Sequence, residues 1–428
     1  MSDTVWIAGA VLLSCMFLKI PVFASLLLGS LSYFILTPDA SFNIIAQRIT
    51  TGVESVPLLA IPFYICAGVV MNHCGITERI MNFCGILTGR LPGGLAQVNI
   101  LLSTLMGGLS GSSIADAAME AKMLVPEMEK HGMPKDFSTV VTAFSSIVTP
   151  MIPPGIQMII YGSLAGISIG KLFVSGVSVG LFTCLTLMVG TAVISKKRKY
   201  PAMRTTKVNT RDVWEAFKRA ALPLALPIII IGGIRIGAVT PTEAGAVAVV
   251  YGVLLGIYYK KLTWDKAAET FRETIIATGS IILIVASASV FAWVLTKEQV
   301  PQTLSQAMAS GISSKIVFLL IVNLFLLIVG MFIEGTAVTI VLTPIIAPIA
   351  ASYGIDPIHF AFIFIFNLSI GCLTPPMGTL MFVTCGVTGC KTKDFIRAGI
   401  PYFIMLLIAL VLVTFVPVIT IGILDIVY

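Results

Sequence analysis

The 428-residue sequence contains few charged side chains. Asp, Glu, Lys and Arg make up 11% of it, against about 25% in an average soluble domain, while hydrophobic residues reach 57% and the mean hydropathy is +1.01. This composition excludes a soluble globular protein. Apolar stretches of about 20 residues, enough for a helix to cross a bilayer, recur along the whole chain. The sequence therefore predicts an all-α polytopic membrane protein.

Motifs that define several other protein classes are missing. The three histidines form no HExxH pattern, no GxxxxGK[ST] phosphate loop occurs, and the eight cysteines are scattered without CxxC spacing. No enzyme activity, organic cofactor or disulfide framework is therefore expected. The opening residues lack a basic n-region and a small-residue cleavage site, so we expect the first span to stay in the mature protein.

Eight apolar segments are the clearest predicted spans. They cover residues 5–36, 56–71, 174–194, 222–236, 238–259, 274–295, 315–331 and 400–424. Two stretches beside them, 213–221 and 263–275, each place a Trp and other apolar residues on one helical face. We predict that each is a short helix at the membrane interface, or alternatively a connecting helix packed on the protein.

Positive charge is concentrated in residues 196–219. This segment holds nine of the 27 Lys and Arg residues, and elsewhere the two signs are equal in number. Because Lys and Arg beside spans set membrane orientation, the segment is predicted to be a cytoplasmic loop close to lipid headgroups. A juxtamembrane position already explains the charge, so nucleic-acid binding is not expected.

Two windows, residues 108–173 and 330–395, share one pattern of glycine and proline. At a constant offset of 222 residues, five such pairs coincide where random placement would give about one: Gly108/Gly330, Pro126/Pro348, Gly132/Gly354, Pro153/Pro375 and Pro154/Pro376. Helix interiors tolerate these residues poorly, so the coincidence predicts a structural duplication. Duplicated membrane halves with interrupted helices at matching positions indicate the binding site of a secondary transporter.

Each window opens on a predicted helical hairpin. The first hairpin turns at residues 110–113 (Ser-Gly-Ser-Ser), and the second turns at residues 332–337, around Glu334. Arms of about 12 to 16 residues are too short to cross about 30 Å of hydrocarbon, which predicts re-entrant hairpins with their tips near the midplane. Such tips could bind Na⁺ through hydroxyls and carbonyls, and a carboxylate at the start of the returning helix. Alternatively, the small residues only permit close helix packing.

The returning arm of the first hairpin carries the charged residues Asp116, Glu120 and Lys122. Charges inside a membrane are costly and usually serve ion or substrate binding, or an internal salt bridge. For Asp116, a functional role and a pairing with lysine both remain open.

A predicted broken helix follows each hairpin. Residues 149–155 (Thr-Pro-Met-Ile-Pro-Pro-Gly) and 371–378 (Gly-Cys-Leu-Thr-Pro-Pro-Met-Gly) each contain two consecutive prolines, which remove two helix donors and force the helix to unwind. The freed carbonyls of residues 149–152 and 371–374 are predicted cation ligands that face the hairpin tips. A simple kink is the alternative.

These motifs resemble those of one family, the large membrane subunit of tripartite ATP-independent periplasmic (TRAP) transporters. The resemblance covers essentially the full chain and rests on residues 108–116, 152–155, 240–244 (Thr-Pro-Thr-Glu-Ala) and the second hairpin with 373–376. It implies an elevator-type secondary transporter of the bacterial inner membrane, built from two inverted repeats. A mobile domain would carry an organic acid together with Na⁺ against a static scaffold, without ATP.

The resemblance also implies two partners and a division of the chain. The partners are a small membrane subunit and a periplasmic binding protein, which delivers a dicarboxylate, a sialic acid or a related acid. The expected division is scaffold and interfacial arm in 1–90, transport domain in 91–172 and 313–392, scaffold with the basic loop in 173–312, and a final scaffold span in 393–428.

The resemblance implies two or more sodium sites. They map onto Ser110, Ser112, Ser113, Thr149 and Ile152 in the first half, and onto Gly335, Thr336, Gly371, Thr374 and Met377 in the second. Predicted substrate contacts are Ser110, Ser112, Gly155, Glu334 and Thr336, with Asp116 and Glu243 as supporting charges. Glu243 could brace the mobile domain or join an ion site. Many relatives have serine where this chain has Gly155, and often aspartate where it has Glu334.

Three other functions are weighed against this one. A channel needs a continuous pore lining, and an intramembrane enzyme needs a catalytic constellation that the sequence lacks. A two-hairpin carboxylate carrier that works without a binding protein is the strongest rival.

Overall fold

The computed structural model describes residues 3–18, 20–203, 209–312 and 314–428. Every regular element among these residues is a helix, and eight of the helices are long and apolar enough to cross a bilayer. The all-α, multi-span prediction is therefore confirmed.

The first 90 residues fold into short helices. They are α1 (Asp3–Phe17), α2 (Val22–Leu36), α3 (Asn43–Val53), the 3₁₀ helix η1 (Val56–Leu59), α4 (Ala60–His73) and α5 (Ile76–Thr88). The single segment predicted over 5–36 is wrong, because α1 and α2 are two 15-residue helices that pack on each other. Pro21 directly precedes α2 and has no N–H with which to continue a helix from α1. The span predicted over 56–71 is confirmed as η1 with α4, which together cover Val56–His73.

The first window contains both predicted features. Its helices are α6 (Gly94–Ser110), α7 (Ser113–Lys130), α8 (Lys135–Ser145), the 3₁₀ helix η2 (Ser146–Met151) and α9 (Ile156–Ala165). Helices α6 and α7 form the hairpin, and the path from η2 into α9 bends by 40° at the double proline.

The middle of the chain is made of long helices. They are α10 (Ile169–Arg198), α11 (Thr210–Arg235), α12 (Pro241–Tyr258), α13 (Trp264–Lys297) and α14 (Val300–Gly311). The prediction of separate interfacial helices is wrong: residues 213–221 and 263–275 form the first turns of α11 and α13. In α13 no proline or glycine separates the amphipathic turns from the apolar part that follows, so nothing ends the helix there. Within the basic segment, Arg204 and Lys207 lie outside the described residues.

The second window repeats the helix order of the first. Its helices are α15 (Lys315–Phe332), α16 (Gly335–Ser352), α17 (Pro357–Gly371) and α18 (Thr379–Thr388), followed by α19 (Thr392–Phe415), α20 (Val418–Ile421) and α21 (Leu424–Val427). When 222 is added to the residue numbers of the first window, most of its helices begin and end within one or two residues of the matching helices in the second window. The last span differs from its predicted range, 400–424, because α19 starts earlier and stops before Pro417.

The hairpin arms are longer than predicted. Helix α6 has 17 residues and the other three arms have 18 each, which corresponds to about 26 Å of helix. By length and composition, α15 and α16 also qualify as spans. The expectation of arms of 12 to 16 residues is therefore wrong. That the hairpins are re-entrant stays a prediction, but the length of their arms no longer supports it.

Small residues pack each hairpin onto its broken helix. A Cβ atom added to Gly107 of α6 would lie 2.8 Å from the Thr149 Cα atom, and one added to Gly371 would lie 2.6 Å from the Gly330 Cα atom. These backbones therefore touch without intervening side chains. The close approach brings both hairpin tips beside the breaks in α8–α9 and α17–α18.

Candidate functional site

A cavity of about 280 Å³ lies where the two hairpin tips meet. It is lined by the α6–α7 tip, by the first residues of α9 and α16, and by residues of α4 and α13. Its polar side chains are Asn72, Ser110, Ser112, Ser113, Gln157, Glu273, Glu334 and Thr336. Five of these eight were predicted as site residues, and they come from both windows.

The first tip is a tight turn with a hydroxyl-capped helix behind it. Gly111 has a φ of +63°, and a Cβ atom there would lie 2.8 Å from the Pro154 carbonyl oxygen, so glycine is required on both counts. The Ser112 hydroxyl accepts a hydrogen bond from the Ala115 N–H at 3.4 Å and caps α7. The N-terminus of α7, with its partial positive charge, therefore lies at the cavity wall.

Asp116 joins this tip to the broken helix. Its side chain is fully buried, and its Oδ2 atom accepts hydrogen bonds from the Ser110 hydroxyl at 2.6 Å and the Thr149 hydroxyl at 2.9 Å. The salt bridges among the described residues do not include Asp116, so its partners are hydroxyls rather than a lysine. Two predicted sodium ligands and a predicted supporting charge thus form one connected group.

A second buried carboxylate lies one turn further along α7. Glu120 is fully buried, and its Oε2 atom accepts a hydrogen bond from the Ser103 hydroxyl at 2.5 Å. The Ser103 hydroxyl oxygen also lies 2.8 Å from the Ser145 hydroxyl oxygen. The positions that match Asp116 and Glu120 in the second window are Val338 and Leu342. The two hairpins therefore share a backbone plan, but only the first contains buried carboxylates.

The second tip is capped by its own acidic residue. Glu334 directly precedes α16, and its carboxylate accepts hydrogen bonds from the Thr336 hydroxyl at 2.7 Å and the Ala337 N–H at 3.1 Å. The start of α16 therefore already has a bound carboxylate. A carboxylate-binding helix start was predicted for the serine-rich first tip, and this role of α7 stays a prediction.

Three cavity residues were missed by sequence reasoning. Gln157 follows the Pro-Pro-Gly break by two positions, Asn72 lies near the end of α4, and Glu273 lies on α13, where its Oε2 atom is 3.7 Å from the His73 Nε2 atom. A polar residue directly after a helix break was a usable signal for Gln157. Nothing local marks the other two, because their place in the cavity depends on how distant helices pack.

Several predicted residues of the second window lie away from this cavity. Gly371 packs on Gly330, the Thr374 hydroxyl donates to the Ile370 carbonyl at 2.8 Å, and Met377 lines an apolar groove together with Phe332. Gly335 is nearer, since an added Cβ atom would lie 2.5 Å from the Gln157 Nε2 atom.

The carbonyl groups of the breaks are less free than predicted. Within the described backbone, the Thr149 carbonyl accepts from the Ile152 N–H at 3.2 Å, the Gly371 carbonyl from Thr374 at 2.9 Å, and the Thr374 carbonyl from Gly378 at 3.2 Å. The expectation that these three are unpaired is wrong, because the chain turns in 3₁₀-like steps before the prolines and Gly378 bonds back to Thr374 across them. A carbonyl oxygen has two lone pairs, so each could still accept a second partner.

The other predicted residues have structural neighbours. The Ile152 side chain packs against Gly180 of α10, and a Cβ atom at Gly155 would lie 2.6 Å from the Pro150 carbonyl oxygen. This close approach explains locally why glycine suits this position. Glu243 accepts hydrogen bonds from the N–H and hydroxyl of Thr240 and caps α12, outside the cavity.

Fold and cavity together define a polytopic membrane protein with a polar site between paired hairpins and broken helices. A solved transporter, the YdaH transporter of Alcanivorax borkumensis, is similar in fold, with a TM-score of 0.60 and 14% sequence identity over 89% of this chain and 88% of that one. This likeness concerns the fold alone.

Sequence comparison shows the family. The family model described as "Tripartite ATP-independent periplasmic transporter, DctM component" matches residues 10–419, and the chain belongs to this family. It is therefore a multi-pass protein of the bacterial inner membrane and the large permease component of a tripartite system.

Two relatives illustrate the range of cargo named in the family. The sialic acid TRAP transporter large permease protein SiaM of Vibrio cholerae is 40% identical over 95% of both chains. The C4-dicarboxylate TRAP transporter large permease protein DctM of Pseudomonas aeruginosa is 36% identical over 92% of both. Neither similarity selects a cargo for this chain.

Proposed function

We propose that this protein imports an organic acid by sodium-coupled secondary transport and takes the acid from a periplasmic binding protein. The observation that carries the proposal is the cavity, where hydroxyls from both windows and the carboxylate of Glu334 converge beside broken helices. Irregular backbone within a membrane domain is tolerated where it lines such a cavity. Uptake would need no ATP, since one sodium ion that crosses 100 mV supplies about 2.3 kcal/mol.

The first hairpin offers the best-defined sodium site. A monovalent cation prefers oxygen ligands, and Ser110 and Thr149 supply two hydroxyl oxygens that Asp116 holds at 2.6 and 2.9 Å. The carboxylate adds a full negative charge in a buried place, where electrostatic attraction is strong. A second sodium site is proposed near Thr336 and Glu334, with the remaining predicted ligands of the second window.

The position of the cavity favours an elevator mechanism. Its lining comes partly from the two windows and partly from α4 and α13. If the windows moved as one body past these two helices, the bound acid would cross with them. We propose that the windows are inverted repeats with re-entrant hairpins, and that a small membrane subunit enlarges the static side.

Uptake into proteoliposomes tests the function. The large and small subunits are reconstituted together, and entry of labelled sialic acid or succinate is followed with and without the binding protein and an inward sodium gradient. Entry that needs both is expected. Entry without the gradient would indicate a channel, and entry that ignores the binding protein would indicate the self-sufficient carrier.

Cross-linking tests the elevator. Cysteines introduced at Ala115 of α7 and Ala277 of α13 both face the cavity, so a bifunctional thiol reagent that joins them should stop uptake. The same double-cysteine protein treated with a monofunctional thiol reagent of similar size is the matched control, because this reagent occupies the cavity without joining the two helices and should leave more uptake. Undiminished uptake after the cross-link would contradict movement between these two helices.

A further inference from the structure

Two kinds of polar group line the cavity. The Ser112 hydroxyl and the N-terminus of α7 lie at the first tip. Asp116 in the same helical turn is fully buried and bonded to Ser110 and Thr149, where the proposed sodium ion would balance its charge. The carboxylates of Glu334 and Glu273 also line the cavity, and none of its described lining residues is Lys, Arg or His. The cavity therefore offers the start of α7 to one anion, and these two carboxylates oppose a second one.

The Glu334 carboxylate still has room for a donor. An ionised carboxylate has about four acceptor positions, and the bonds from Thr336 and Ala337 use two of them. The Ala337 N–H is bonded to Glu334 as the matching Ala115 N–H is bonded to Ser112, but at α16 the capping group is a carboxylate, whose charge opposes an incoming anion. This end therefore accepts hydrogen bonds rather than donating them.

Gln157 provides an independent pointer to a ligand. Its side chain is only 9% exposed, it lines the cavity, and its Oε1 atom has no hydrogen-bond partner among the described residues. A buried amide oxygen without a partner is costly, so such atoms in native proteins normally meet a donor. In this cavity a donor group on the cargo could replace water at this oxygen.

We propose that the cargo is a monocarboxylate whose other end carries hydroxyl or ammonium donors, and that Gln157, Glu273 and Glu334 select against dicarboxylates. The carboxylate lies at the start of α7 and the donors face the three acceptors. A second carboxylate at that end would meet two like charges and an unpaired amide oxygen, which is how a binding site rejects a wrong partner. This inference rests on the proposed function and deepens it.

Thermal stabilisation of the purified two-subunit complex in saturating sodium tests the inference directly. The binding protein is left out, because it has a specificity of its own. D-Gluconate and D-glucarate make a matched pair, since they differ only in a terminal CH₂OH or carboxylate. We expect gluconate to bind at least tenfold more tightly than glucarate. The pair 4-aminobutyrate and succinate tests the ammonium form in the same way.

Substitutions that remove a single negative charge are the second part of the test. Glu273→Gln should reduce the preference for gluconate over glucarate at least threefold, and Glu334→Gln should act in the same direction. Glu215→Gln, which removes a charge from the exposed Arg211–Glu215 pair of α11, should leave the preference unchanged. Since Glu334 also caps α16, Glu273 is the cleaner test.

The outcomes separate this inference from the proposed function. If dicarboxylates bind as well as their monocarboxylate partners, or if the preference survives both substitutions, selection by these residues is refuted while sodium-coupled transport stands. If no organic acid stabilises the complex in sodium while uptake with the binding protein proceeds, the inference fails and the proposed function stands. If sodium-coupled uptake is absent as well, both fail.

Discussion

Replacement of Asp116 by asparagine is the sharpest test of the sodium site. The asparagine side chain has nearly the same shape and keeps one oxygen that can accept from Ser110 or Thr149, so the hairpin should fold. What it loses is the negative charge behind two predicted sodium ligands. The expected defect is therefore a weaker sodium affinity rather than a loss of protein.

The geometry sets the size of this effect. Asp116 Oδ2 lies 2.6 and 2.9 Å from the two hydroxyl oxygens, so an ion on their far side would be about 5 Å from the carboxylate. Two unit charges at that distance interact by about 3 kcal/mol at an effective dielectric constant of about 20. If relaxation recovers up to half of this, the sodium concentration for half-maximal uptake should rise about 10- to 150-fold.

The assay is sodium-dependent uptake in proteoliposomes at saturating organic acid, with Glu120→Gln as the matched control. Glu120 lies on the same helix and is equally buried, but it bonds to Ser103 instead of a predicted ligand. Its substitution should shift the sodium dependence by only about 4- to 15-fold, because its charge is about one helical turn farther away, at about 10 Å, where the interaction falls to about 1.6 kcal/mol. An unchanged sodium dependence in Asp116→Asn, or a larger shift in Glu120→Gln, would refute this site.

Two further predictions concern packing and the α12 cap. Gly371→Ala should lower the free energy of unfolding by about 1 to 3 kcal/mol, because its Cβ would lie 2.6 Å from the Gly330 Cα atom. Gly386→Ala, which meets nothing within 4 Å, is its control, and equal melting temperatures would contradict the account. Glu243→Gln should leave the sodium dependence of uptake unchanged, since Glu243 bonds to Thr240 outside the cavity. A sodium shift would instead place Glu243 in an ion site.

Local chemistry made the hairpins and broken helices predictable. Ser-Gly-Ser-Ser supplies a left-handed turn and a helix cap, and two consecutive prolines end any helix, so residues 110–113, 153–154 and 375–376 determine their own backbone. Reasoning from local pattern failed for the two predicted interfacial helices, because an amphipathic pattern does not show where a helix ends. The amphipathic turns at 213–221 and 263–275 were separated from α11 and α13, although α13 has no proline or glycine at that boundary and α11 continues through Pro223 and Pro227.

The membrane class, the helix order of the two windows and the positions of the two tips could be predicted from the sequence. These features depend on hydropathy and on backbone chemistry within a few residues. Three contacts could be seen only in the folded molecule: Asp116 bonds to Thr149, Gln157 and Glu273 line the cavity, and Met377 lies outside it. Those contacts depend on which faces of distant helices pack together. Periodicity marks a face as apolar but does not choose its partner.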